Sequence, residues 1–465
     1  MEDPLKWMKV PASITERVGE AAALIDSTNG KIRIISHYDG DGIVSAGIIS
    51  RAVHRCGKMF HATMTSVLTE EDIQQLDGGF ELLIVSDMGS SQADMISKKL
   101  IGTGSRGIIL DHHNVTGRDS PFSISDGGGI IEINPRFHGI DGTSGCSGST
   151  LSFMLALALD PGNVDLCVFS LAGSLADRQH VPQYSELNLG IKNLAVEKGF
   201  LRSMKGMPFS GRTVLEAMVT SNDPFIKEIS GDEVAARDLL IGLGIDPESR
   251  LEDLSEDETK KLQSFVYVHL LKEGVPKNMV HELFRENLYS DKYGNIQDLA
   301  YSIDTCGRRG ETGKGFKVVW GKLDAYEEAL KDRFDQKKRI QSMLIETDRK
   351  GLNVMENIQW LEVEEDTLAG TIAGLAHNYL FDHNKPVLAL SRGDNGKMKV
   401  SSRGNRALCK KGLDLGAVMR ESGKAYGGGG GGHDVAAGGS FIEDHREDYL
   451  KMCDRLVGDQ LKGRK

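Results

Sequence analysis

Three short apolar runs in this chain each end in side chains that bind metal ions. Lys31-Ile-Arg-Ile-Ile-Ser-His37 runs into Tyr38-Asp39-Gly40-Asp41-Gly42, Glu81-Leu-Leu-Ile-Val-Ser86 ends at Asp87, and Arg106-Gly-Ile-Ile-Leu110 ends at Asp111-His112-His113. Together they offer four aspartates and three histidines. Carboxylates gathered in one place raise one another's pKa, so the group needs a counter-charge, and a divalent metal is the natural one. A neutral imidazole is a common ligand, and a neighbouring carboxylate fixes its tautomer. Singly, the first motif also describes a capped turn before a helix, and Asp87 an N-cap. Two adjacent histidines after an aspartate, at the end of an apolar run, have no packing rationale.

The elements that must position these groups follow from the runs themselves. Each is short and rich in Ile, Val and Leu, as in strands buried on both faces of a parallel sheet. Ligands of such sheets collect outside the carboxyl ends of the strands. His37, Asp39 and Asp41 alternate, so a fully extended strand points them one way. Glycines at 40 and 42 instead allow a turn that aims the two carboxylates at different metals. A helix over 12–28 precedes the first strand, and strands and helices then alternate to about residue 185, the signature of βαβ units. Asp165 to Gln179 carries an apolar stripe at helical spacing with Asp177 near its end.

From 186 to 345 helical, charge-laced stretches dominate, which reads as a helical insertion or linker followed by a long connecting helix. Strand-like runs return at Ile358–Val363, Pro386–Ser391 and Lys397–Ser402, with a helix at Thr371–Phe381. The expected organisation is α/β: a parallel-sheet metal-binding domain (1–185), the helical region (186–345), and a smaller α/β domain (346–465). At 465 residues there is room for two or three cores. Hydrophobic content of 39% and charged content of 26% describe an ordinary soluble protein. No apolar stretch has membrane-span length and the start has no signal-peptide pattern, so the expected location is the cytoplasm. The 6 cysteines are scattered with no C-x-x-C pair and read as reduced thiols.

A formal net charge of -11 argues against a protein coated in nucleic acid, but a local patch is what matters for contact. Arg392, Lys397, Lys399, Arg403, Arg406, Lys410 and Lys411 lie close together against one acid, Asp394. They sit near Ser401-Ser402-Arg403 and the glycine run Gly427–Gly432, which leads into His433-Asp434 and what reads as a small-residue helix start. Consecutive backbone N–H groups at Gly430, Gly431 and Gly432 can form an anion nest there. Arg403 can add a bidentate phosphate contact and His433 a further donor. Gly102-Thr-Gly104-Ser-Arg-Gly107 precedes a strand and so is no dinucleotide fingerprint, and Gly145-Cys-Ser147-Gly148 does not complete G-x-S-x-G.

The ordered set His37-x-Asp39-x-Asp41-Gly42, Asp87, Asp111-His112-His113 and Asp177, followed by Gly429-Gly-Gly-Gly-His433-Asp-x-Ala-Ala-Gly438, resembles the DHH phosphoesterase superfamily with its DHHA1 domain. Within it, Ser-His-x-Asp-x-Asp-Gly, Asp-His-His-Asn114 and Cys306-Gly-Arg308 are most similar to archaeal RecJ-like single-strand exonucleases, including the GINS-associated nuclease. The resemblance implies two manganese or magnesium ions. His37 and Asp39 would hold the first, Asp41, His112 and Asp177 the second, and Asp87 would bridge. Asp111 would orient His112, and His113 would contact the scissile phosphate. Ser402, Arg403 and His433 would grip a phosphate of the strand.

The implied activity is a two-metal phosphodiester hydrolase acting 5′ to 3′ on single-stranded DNA, in replication or repair. Single-stranded RNA is a further possible substrate and the GINS replication complex a possible partner. The alternatives are an oligoribonuclease or cyclic-dinucleotide phosphodiesterase, against which the extra helical region weighs, and a replication scaffold bound to GINS, against which the retained ligands weigh.

Overall fold

The structure is a computed structural model that describes residues 9–463 apart from 116, 125–128, 208, 352 and 394. The chain start examined for a leader, and Asp394 of the basic run, therefore lie outside the described residues. The chain forms two compact units. One is built from residues up to Met207 together with Arg285–Arg333, the other from the stretch between them together with Phe334 onward.

The first unit is organised around a parallel sheet of β1 (Ile32–His37), β2 (Phe60–Thr65), β3 (Leu82–Ser86), β4 (Arg106–Leu110) and β5 (Ile130–Ile133), in the order β2-β1-β3-β4-β5. Even-numbered strand residues (Ile32, Ile34, Leu82, Ile84, Ile108, Leu110) pack on one face against α1 (Gly40–Arg55), α2 (Gly148–Leu159) and α3 (Cys167–Ala176). Odd-numbered ones (Ile35, Leu83, Val85, Ile109) pack on the other against Ile96 and Leu100 of helix Ala93–Thr103. Each such side chain contributes roughly 2 kcal/mol by burial. Strand order reverses direction between β1 and β3, which places the ligand crevice of an open α/β sheet at the tips of those two strands.

The region 186–345 is shared between the units. Within it β6 (Arg202–Gly206), β7 (Arg285–Ser290) and β8 (Gly294–Asn295) form a three-stranded antiparallel sheet of the first unit. These runs are polar and short, and the helical expectation missed them. α4 (Ile296–Arg308) follows. The long connecting helix is present as Leu323–Lys350.

The second unit begins with helices Val214–Val219, Glu233–Leu243, Glu256–Lys272 and Lys277–Leu283. It ends in a sheet of β9 (Asn353–Val354), β10 (Gln359–Glu362), β11 (Val387–Arg392), β12 (Lys397–Arg403), β13 (Gly429–Gly432) and β14 (Ala436–Ile442), ordered β13-β14-β12-β11-β10-β9. α5 (Asp366–Tyr379) covers part of one face. On the other face Met398 and Val400 of β12 pack with Val418 and Met419 of α6 (Leu415–Ala425), and with Phe441 and Tyr449. No helix among the described residues is long and apolar enough to cross a membrane.

The glycine run departs from expectation. It does not form a nest leading into a helix; Gly429–Gly432 is an edge strand and Ala436–Ile442 its hairpin partner. The cause is α6. A Cβ on Gly430 would lie 2.4 Å from the Met419 carbonyl oxygen, and one on Gly416 or Gly423 would lie 2.4 Å from the carbonyl oxygen of Gly432 or Gly429. Backbone packs on backbone here, which only glycine permits.

His377 of α5 is fully buried, and burial together with His383 pushes its imidazole down to about 4. Between that value and the ordinary 6.5 the unfolded chain takes up a proton that the folded chain refuses. Stability is therefore complete above about pH 6.5 and falls as the pH drops toward about 4, by roughly 3 kcal/mol in all. His377→Gln should flatten that part of a urea-midpoint profile; an unchanged slope would refute the assignment.

Candidate metal centre

At the β1 tip, His37 ends the strand and Asp39 caps α1, accepting from the Gly42 amide at 3.1 Å. The turn is as tight as its glycines demand: a Cβ on Gly42 would come 2.2 Å from the His37 carbonyl oxygen. Asp41, in the first turn of α1, points elsewhere. It lies fully buried at the N-terminus of α2, accepting from Gly148 N (2.7 Å), Ser149 N (3.2 Å) and Ser147 Oγ (3.0 Å). A helix N-terminus is a ready anion holder, and here it holds a carboxylate of the protein itself. The glycines therefore do split the two carboxylates between different surroundings.

Asp87 follows β3 with φ of +57°, a left-handed conformation that an aspartate tolerates better than most residues. It is 1% exposed. One carboxylate oxygen lies 3.1 Å from His112 Nε2 and the other 3.8 Å from His37 Nδ1. Asp177 caps the end of α3 and lies 3.3 Å from His112 Nε2. Burial first, and then the charges of Asp41 and Asp39, push the carboxyls of both Asp87 and Asp177 well above the usual range. Asp39 is half-buried, and its contact with His37 outweighs the cost of that and leaves it below the usual value.

Asp111 behaves differently. Its buried carboxylate accepts from Ser90 N (2.9 Å), His112 N (2.8 Å), His113 N (3.2 Å) and His113 Nδ1 (2.8 Å). These bonds, led by His113, overcome the cost of burial and hold it far below the usual carboxylate range. In return Asp111 raises the His113 pKa and leaves its Nε2 facing outward on a side chain 56% exposed. Asp111 thus orients His113 through its side chain, and His112 only through its backbone amide.

Two features fit a cation at this site. His112 Nδ1 lies 2.6 Å from the Gly142 carbonyl oxygen and so donates to it, which makes Nε2 of the neutral ring an acceptor. That acceptor faces the acceptor oxygens of Asp87 and Asp177, an arrangement a divalent ion between them resolves. His37 Nδ1 is buried and, although 2.9 Å from Asp39, is not aligned to hydrogen-bond with any partner. Ligand atoms of His37, Asp39 and Asp87 all lie within 4.8 Å of one another, as do those of Asp41, His112 and Asp177, and those of Asp87, His112 and His113. All the sequence-proposed ligands are therefore brought together in the first unit.

The surroundings hold residues that the sequence reading passed over. A Cβ on Gly148 would sit 2.7 Å from Asp87 Cβ and 3.0 Å from Asp41 Oδ2; one on Gly173 would sit 2.6 Å from Asp41 Oδ1. Gly145-Cys-Ser147-Gly148, rejected as a nucleophile elbow, is thus the cradle of Asp41. The end of α4 presses on the first motif. Asp304 accepts from Gly40 N (3.2 Å) and pairs with Arg308 (2.6 Å), and a Cβ on Gly307 would lie 2.0 Å from the Tyr38 carbonyl oxygen. Arg308 feels Asp304 most strongly, and also Tyr38 and Asp39, all of which raise its pKa. It is a cation within electrostatic reach of Asp39. The Cys306-Gly-Arg308 element was its only sequence signal.

In the second unit Ser402 is fully buried and donates to the Ala437 carbonyl at 2.9 Å, so it ties β12 to β14 and faces no ligand. Strand alternation puts Ser401, not Ser402, on the face of Arg403. Arg403 runs along α5 where Gly370 and Gly374 leave room: its Cγ and Cδ lie near Gly374, and Nη2 would be 2.5 Å from a Cβ on Gly370. Burial alone lowers its pKa, with no carboxylate offsetting it. His433 is exposed in the β13–β14 turn, its amide donating to Ala436.

The parallel sheet carries carboxylates and imidazoles at its switch point, and comparison makes the class specific. Residues 31–164 match the DHH family, N-terminal domain, and 356–459 match the DHHA1 domain. An uncharacterized protein of Methanocaldococcus jannaschii is 30% identical over 446 residues, covering 93% of this chain and 94% of the relative. The chain belongs to the DHH phosphoesterase superfamily. Among solved structures, exonuclease RecJ bound to manganese is similar in fold (TM-score 0.56, 16% identity, covering 95% of this chain and 94% of that one). So is CDC45 from Entamoeba histolytica (TM-score 0.64, 11% identity, 96% and 98%).

Proposed function

We propose that this chain is a two-metal phosphodiesterase that shortens single-stranded DNA from one end, in the 5′ to 3′ direction. The observation that supports this best is Asp87, whose two oxygens turn toward separate ligand groups, His37 on one side and His112 on the other. His37 and Asp39 would hold one manganese or magnesium ion and Asp41, His112 and Asp177 the other. Bound, the pair supplies Lewis acidity and a water activated near neutral pH. The protein's own groups do the rest. Asp111 fixes the His113 ring so that Nε2 can donate to a phosphoryl oxygen, and Arg308 offers a second positive charge to the same developing anion. Arg403, with no acid beside it and Nη1 donating to the Ser402 carbonyl at 2.9 Å, would pair with a backbone phosphate through its remaining N–H groups.

The test is digestion of end-labelled single-stranded DNA, RNA and dinucleotides with manganese, resolved at each nucleotide. Stepwise loss from the 5′ end of DNA is expected. Near-exclusive cleavage of dinucleotides would replace the exonuclease reading with the small-substrate one. Chelation should abolish turnover and lower the melting temperature. Saturating manganese at about a thousand times its Kd should stabilise the fold by about 4 kcal/mol. Arg308→Ala should cut kcat about a hundredfold with little change in the manganese midpoint; a shifted midpoint with normal kcat would make it a structural residue instead.

A further inference from the structure

We propose that His377 and His383 hold a zinc ion in the second unit, a metal site other than the strand-tip centre and independent of the hydrolase reading. His377 lies in the last turn of α5, and His383 follows in the loop that leads to β11. Their rings meet edge to face, with centres 5.8 Å apart and planes at 87°. His377 is fully buried, yet neither of its ring nitrogens is aligned to hydrogen-bond with any partner. The same holds for the buried Nδ1 of His383. The Asn378 side chain lies near the first ring and the His377 backbone near the second, without completing either bond. A buried donor or acceptor left unmade is costly, and an apolar ring would serve packing alone better. A cation between the two imidazoles takes up the lone pairs that the protein leaves open.

Geometry and charge fit that ligand. Imidazoles bound to one zinc ion through bonds of about 2.0–2.1 Å, at a near-tetrahedral angle, put their ring centres about 5 Å apart. The observed spacing needs only a somewhat wider angle at the ion. Burial and His383 push the His377 imidazole down to about 4, and burial lowers His383 as well. Both rings therefore favour the neutral form that ligates. The loop is fixed from outside. Buried Gln359 of β10 donates through Nε2 to the carbonyls of Asp382 (2.9 Å) and Lys385 (3.2 Å), and Asn405 donates to the His383 carbonyl at 2.8 Å. Little freedom is lost when an ion arrives at a pair held in this way. Asp382 is exposed and within electrostatic reach of both rings, so it supplies counter-charge and leaves the remaining positions to water. Two imidazoles without a bridging carboxylate favour zinc over the harder manganese and magnesium. Ligation would pin the end of α5 to the loop before β11.

Zinc content of the full chain tests this, with Asp87→Asn as the background because it weakens the strand-tip centre. Each protein is stripped with chelator, dialysed against micromolar zinc and read by plasma mass spectrometry. Asp87→Asn should retain one more zinc ion per chain than Asp87→Asn combined with His383→Gln. Whatever zinc the strand-tip centre still takes cancels in that difference. Zinc should also raise the melting temperature of the first protein more than that of the second, because an ion held only by the folded chain stabilises it. Equal zinc content in the two would overturn the site. His383 is half-buried, so glutamine there is a mild change. Should the double variant misfold all the same, Asp382→Asn decides instead: in the same background it should raise the zinc Kd several-fold, and an unchanged Kd would overturn the site. His383→Gln alone should digest single strands with manganese at the wild-type rate, so failure of the zinc site and failure of the hydrolase reading are told apart.

Discussion

Asp87→Asn should reduce turnover at least a thousandfold while making the metal-free protein more stable. Both effects come from its place between the two ligand groups. Removing a carboxylate that faces both ions weakens the whole pair, and a rate loss of about three orders of magnitude or more is the usual result when a group that organises transition-state charge is lost. Without ions, the charged form of Asp87 is disfavoured by burial first and then by Asp41, Asp39 and Asp177. Replacing it by a neutral isostere relieves that repulsion, so the melting temperature in chelator should rise by a few degrees. The increase that manganese brings to wild type should largely vanish. Calorimetric scans with and without manganese, beside an end-label digestion, read all of this. Normal turnover in Asp87→Asn would end the metal assignment.

Gly148→Ala should be nearly as damaging to activity, although it adds only one methyl group. That methyl would lie 2.7 Å from Asp87 Cβ and 3.0 Å from Asp41 Oδ2. Backbone on one side and buried carboxylates on the other leave it nowhere to go. Overpacking of this kind costs about 1–3 kcal/mol, and alanine recovers up to about 1 kcal/mol through its better helix propensity. Net stability therefore falls only modestly. The displaced carboxylates carry the main effect, which is a loss of about a hundredfold in manganese affinity and in kcat. A variant whose manganese titration overlays wild type would show that Gly148 merely fills space.

How much of this could be read from residues alone depended on whether a feature was local. The strand tips were legible, because a buried parallel strand is a short apolar run and anything polar at its end stands out. His37, Asp39, Asp87 and Asp111-His112-His113 all announced themselves in this way. Asp177 was legible only through the resemblance. The cradle of Asp41 was not legible, because Gly148 and Gly173 are required by contacts between α1, α2 and α3 that no single segment displays. The edge strand Gly429–Gly432 was hidden for the same reason, since its glycines answer to Gly416 and Gly423 of another element. The choice of Ser402 over Ser401 was avoidable: period-two alternation in Lys397–Arg403 already put Ser401 beside Arg403. The β6–β8 sheet was concealed by polar strands such as Arg202-Ser-Met-Lys-Gly206.

The anchoring of Asp41 on the α2 amides and of Asp111 on the Ser90, His112 and His113 amides has a consequence for how ions are loaded. Those carboxylates are held by the polypeptide, so the cage keeps its outline when cations depart. On the proposed reading, ions would exchange without refolding, and abundance in the surrounding solution would weigh with intrinsic affinity in setting which one is resident.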